Sequence, residues 1–90
     1  MMYPYITLSD ETGIAHSEMK PDGTVKVYFE IPVEGGFHHA TCYLPAFEWA
    51  DIHGFRPDEI KYLDEVLHVN AHRILAFSQQ DLPVFRRIYP

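Results

Sequence analysis

The stretch Val25-Lys26-Val27-Tyr28-Phe29-Glu30-Ile31-Pro32-Val33 decides the fold. Apolar and polar side chains alternate along it almost without error. Period two is the mark of a strand with one face against a core and one toward water. Gly35-Gly36 follows, a two-residue hairpin signal, because glycine reaches positive φ at no steric cost. Lys20-Pro21-Asp22-Gly23-Thr24 precedes it as a turn: proline presets φ, aspartate bonds nearby backbone, and glycine takes the left-handed position. Further upstream, Ser9-Asp10-Glu11-Thr12-Gly13 separates two shorter alternating runs. The reading is an antiparallel meander of four strands, at about 5–8, 14–20, 24–33 and 37–44.

Turn positions also predict register. A Gly35-Gly36 loop sets Val33 opposite His38, Ile31 opposite Ala40, Phe29 opposite Cys42 and Val27 opposite Leu44. A Pro21-Asp22-Gly23 loop sets Met19 opposite Val25, Ser17 opposite Val27 and Ala15 opposite Phe29. The first turn brings Leu8 to Ala15 and Ile6 to Ser17. Small or apolar side chains then share one face.

The second half reads as helix. Pro45 to Gly54 has a proline at its start and a glycine stop, the cues of a short helix over about 46–53. A longer helix is expected from Pro57 to about Gln80, with Asp58 and Glu59 in the first turn, where acids suit the helix dipole. Ile60, Leu63, Val66, Leu67, Asn70, Ala71, Ile74 and Phe77 fall on one side of it and would cover the apolar sheet face. Asn70 interrupts that stripe and, if buried, needs hydrogen-bond partners. The tail 81–90 is apolar enough to dock or to grip a partner. The expected class is α+β: a four-stranded antiparallel meander with one face under a C-terminal helix and a short helix between.

Composition narrows function. The chain has 90 residues, 47% apolar and 22% charged, the proportions of one globular domain. Seven lysines and arginines against 13 aspartates and glutamates leave a formal charge of −6, which disfavours direct nucleic-acid binding. No apolar run of about 18 residues offers a membrane span. Met1-Met2-Tyr3-Pro4-Tyr5 lacks the cations and apolar stretch of a secretory signal, and Cys42 has no second cysteine to pair with, so a cytoplasmic setting is expected.

Three constellations merit weighing. On the predicted outer sheet face, Tyr28 stands beside Tyr43 and near His16, with Tyr5 facing Glu18. Cross-strand pairing accounts for such residues structurally. Tyrosine also gives large contact area at low entropy cost, so Tyr5, His16, Tyr28 and Tyr43 form a candidate interaction surface. On the long helix, Glu65, His68 and His72 share a face at spacings of three and four, a candidate zinc set, although they lie opposite the apolar stripe and a solvated helix face is the favoured reading. His38 and His39 are adjacent in a strand, point to opposite faces, and cannot jointly chelate. Cys42 falls on the core face as inert packing, no serine sits on a nucleophile elbow, and no glycine-rich loop opens a helix.

Ile6-Thr7-Leu8, Asp22-Gly23-Thr24-Val25, Cys42-Tyr43-Leu44-Pro45, and Gly54-Phe55 followed by Glu59-Ile60 give the stretch from Tyr3 to Asn70 a pattern. In these motifs the chain resembles a family of small uncharacterised bacterial proteins. The resemblance implies no activity and no site residue.

The expected function is that of a non-catalytic interaction or regulatory protein, self-associating or bound to a larger protein, and not an enzyme. One alternative is a metal-binding domain on Glu65, His68 and His72, the only reading that calls for a cofactor, zinc. Another is an acidic inhibitor occupying a partner's nucleic-acid-binding surface.

Overall fold

A computed structural model describes residues 1–79. The predicted tail 81–90 and the predicted helix end at Gln80 lie outside the described residues. The order is β1 (Met2–Thr7), β2 (Gly13–Ser17), β3 (Val25–Val33), β4 (Gly36–Leu44), β5 (Glu48–His53) and α1 (Pro57–Ser78). The strands form one antiparallel sheet in sequence order, and α1 lies on one face of it. The class is α+β, as expected, with two differences in detail: the sheet has five strands, and no short helix precedes α1.

The predicted helix at 46–53 is strand β5 instead. Phe47 takes φ 59 and the chain reverses there, so residues 48–53 run back along β4. This covers a β4 edge that a helix would have left with unpaired backbone groups. Trp49 pairs with Cys42, faces the core, packs its ring 5.1 Å from Phe29, and donates its indole N–H to Asp64 at 2.9 Å. The register slips between His39 and Thr41, where Asp51 takes φ 52.

The core is Val25, Val27 and Phe29 of β3, Cys42 and Leu44 of β4, Ile14 of β2, and Leu63, Leu67, Ala71 and Ile74 of α1. The helix begins as its sequence prescribes. Pro57 opens it, and the Glu59 carboxylate accepts the Arg56 backbone N–H at 2.7 Å, satisfying a donor the helix cannot. It crosses the sheet from Trp49 of β5, at Asp64, toward Tyr5 of β1, at Asn70. Its last turn is tied down by the Met19 N–H, which donates to the Ser78 carbonyl at 3.0 Å.

Register departs from expectation at all three turns. Between β1 and β2, Ile6 pairs with Ile14 and Ser17 with Met2, so neither Ile6–Ser17 nor Leu8–Ala15 forms, and a bulge between Pro4 and Ile6 interrupts the ladder. In the β3–β4 hairpin Val33 pairs with Gly36, so the loop is Glu34-Gly35, with Gly35 at φ 86. Val27 meets Cys42 and Phe29 meets Ala40, two residues from the expected pairing, and a shift of two preserves faces. Between β2 and β3 the shift is one residue: Ile14 pairs with Phe29, Ala15 with Tyr28 and His16 with Val27. An odd shift turns a strand over. The turn at Asp22-Gly23 is present, with Gly23 at φ 88 and its N–H bonded to the Lys20 carbonyl. The ladder ends before that turn, because the Ser17 hydroxyl takes the Lys26 N–H and Met19 leaves toward α1. Turn type therefore does not set this register. Burial of Ile14 in preference to Ala15 accounts for its sense.

Candidate functional site: the open face of the sheet

Across β2 to β5, three rungs occupy the middle of the face opposite α1, read from strand pairings. Lys26, Tyr43 and Glu48 form the first. Ala15, Tyr28, Thr41 and Ala50 form the second. Gly13, Glu30, His39 and His53 form the third. Among the described residues nothing lies over these rungs except their own side chains, which bury Thr41. The Tyr28 ring stacks on His39 at 6.1 Å, and His39 lies 4.6 Å from His53. The Tyr28 hydroxyl donates to the Glu30 carboxylate at 2.8 Å. Burial, and then this bond to Glu30, push the Tyr28 phenol above its ordinary range, so it stays a neutral donor. Beside it Glu11, Ala15, Glu30 and Pro32 line a hollow of about 340 Å³.

The structure divides the predicted surface. Tyr28 and Tyr43 do share the open face, although Tyr28 opposes Thr41 and not Tyr43. Tyr5 and His16 do not belong there. A bulge between Pro4 and Ile6 and the one-residue shift of β2 turn both toward the helix side. The Tyr5 hydroxyl donates to Asn70 Oδ1 at 2.8 Å, and the Asn70 amide donates to the Val66 carbonyl. This is the partner set that the interrupted helix stripe required. Tyr5→Phe is expected to cost about 1 kcal/mol, by removing the donor from a part-buried amide oxygen. Melting of Tyr5→Phe, Asn70→Ala and the double variant checks it, because coupled partners are non-additive. His16 is 4% exposed, its ring 5.9 Å from Tyr3 and its Nδ1 2.9 Å from the Ser17 carbonyl.

Glu65, His68 and His72 are exposed on the outer side of α1. His68 is otherwise engaged. Its ring lies flat on Phe47 at 3.7 Å and 9°, and its Nδ1 meets the Asp64 carbonyl at 2.8 Å. Among the described residues no group of three or more His, Cys, Asp or Glu converges as a metal cage would. The strand histidines are the pair that sequence reading missed. A helix over 46–53 would place His53 away from β4, whereas strand β5 sets it beside His39.

Cys42 lies in the core as expected, and burial first, with the charges of Asp64 and Glu48, pushes its thiol up to about 12. Thiolate is the reactive form. We expect no reaction with a thiol reagent at neutral pH until the chain is unfolded by denaturant, read by absorbance. The folded thiol keeps a proton that the unfolded one releases, so stability falls as pH rises above the ordinary value of 9.0.

A cavity of about 230 Å³ lies at the start of α1, near Asp10, Phe55 and Tyr62. Its acids have local partners: Asp10 accepts the Thr12 N–H, Glu59 the Arg56 N–H, and Asp58 faces the Arg56 guanidinium, which holds its carboxyl below the ordinary range.

No described helix is long and apolar enough to cross a membrane. No family model, curated protein or solved structure matches the chain, so the reading rests on its own residues.

Proposed function

We propose that the chain is a small non-catalytic protein-interaction or regulatory protein that self-associates through the open face of its sheet. The observation that carries this is the asymmetry of the sheet. One face is sealed by α1, while the other presents Tyr28 and Tyr43 with no described element over them. Tyrosines with apolar rings and polar tips are enriched where proteins meet. A second copy is the favoured partner because the face is self-complementary in charge. Lys26 and Glu48 stand on one rung, so a two-fold related copy can set each cation against an acid. The hollow beside Tyr28 offers room for a partner side chain.

The same mixed charge does not favour an acidic mimic of nucleic acid, which needs an unbroken acidic stripe. The single thiol, Cys42, supports a cytoplasmic setting. The kinship with small bacterial proteins read from the sequence motifs is part of the same proposal.

Tyr28→Ala combined with Tyr43→Ala is expected to weaken self-association by roughly tenfold or more, as removal of central aromatic anchors does. Sedimentation equilibrium on both chains measures this. An unchanged association constant in the double variant would remove the open face from the account.

A further inference from the structure

His39 and His53 are paired residues of neighbouring strands on the open face, and their ring centroids lie 4.6 Å apart at 32°. Zinc binds an imidazole nitrogen at about 2.0–2.1 Å, and two imidazoles sharing one ion at ligand angles of about 90–110° have centroids roughly 4.5–5.2 Å apart. The observed spacing falls within that range. Both rings are free to ligate: among the described residues the imidazole hydrogen bonds are those of His16 and His68. Antiparallel pairing fixes the two backbones, so little ordering of the chain is needed to bring the nitrogens together.

We propose that His39 and His53 form a two-imidazole chelate for a borderline divalent cation of the zinc class, its remaining positions open to water. Imidazole suits zinc, copper and nickel, and hard cations such as magnesium and calcium prefer oxygen ligands. Glu30 is next on the same rung, but its carboxylate is held by the Tyr28 hydroxyl, and the protein supplies two ligands. The site is distinct from the helix face of His68 and His72, and it shares the open sheet face with Tyr28, on which the His39 ring stacks.

Calorimetric titration of the full chain with zinc chloride tests the site, with His39→Ala, His53→Ala and a His68→Ala/His72→Ala double variant alongside. The expected result is about one ion per chain for the full chain and the helix variant, with binding roughly tenfold weaker or more in either strand variant. Binding should also weaken in acid, since the ligating imidazoles must be neutral. Equal uptake by the full chain and His39→Ala overturns the site. So does loss confined to the helix variant, or no uptake by the full chain. Circular dichroism of each variant confirms that the fold is retained, and paramagnetic broadening by nickel should reach the His39 and His53 ring resonances first. The mass of the metal-free chain is unaffected by any of these outcomes and reports separately on self-association.

Discussion

Phe29→Ala is expected to lower stability by about 3–5 kcal/mol, the usual cost of emptying a buried aromatic site. Phe29 is fully buried at the middle of β3, between Ile14 of β2 and Ala40 of β4, with the Trp49 ring 5.1 Å away. Removing the ring leaves the helix stripe, the Trp49 indole and two strands facing a void. Small domains are stable by only about 5–15 kcal/mol in total. A loss of this size takes much of that margin, and at about 4–8 °C per kcal/mol the melting temperature should fall by at least roughly 12 °C. Thermal unfolding followed by circular dichroism measures it. A drop of only a degree or two would mean that Phe29 is not where the core is assembled.

Gly54→Ala is the second large effect, expected at about 2–3 kcal/mol from two causes. Gly54 joins β5 to α1 at φ 92, a conformation that costs an alanine strain. An added Cβ would also overlap the His38 ring, which packs edge-on against Phe55 at 5.9 Å. The causes separate by experiment. Adding His38→Ala should recover the steric part and leave the backbone part, so the double variant should melt between Gly54→Ala and the unaltered chain. If Gly54→Ala melted like the unaltered chain, the link between β5 and α1 would have to be built differently.

What was legible in the sequence follows from the length and regularity of each pattern. β3 and α1 carry long, clean periods of 2 and 3.6, and both lie where expected. β5 does not read cleanly. Six residues between a proline turn and a glycine satisfy helix-boundary cues as well as strand-boundary cues, and the need to cover the β4 edge decided between them. Register was legible only in the parity of the β3–β4 hairpin. The β3–β4 hairpin moved by two residues and kept Tyr28 and Tyr43 outward. The β2–β3 pairing moved by one, and Tyr3 and His16 now face each other on the helix side. A hydroxyl ending a ladder, as Ser17 does, leaves no periodic trace in a sequence. The candidate site was accordingly half legible: its tyrosines were visible, its histidine pair was not.

The open sheet face is the central claim, and the solution mass of the metal-free full chain by light scattering tests it most directly. The account predicts twice the chain mass of 10.5 kDa for the unaltered protein and the single-chain mass for Tyr28→Ala/Tyr43→Ala. A single-chain mass for the unaltered protein, or a dimer that persists in the double variant, would contradict it.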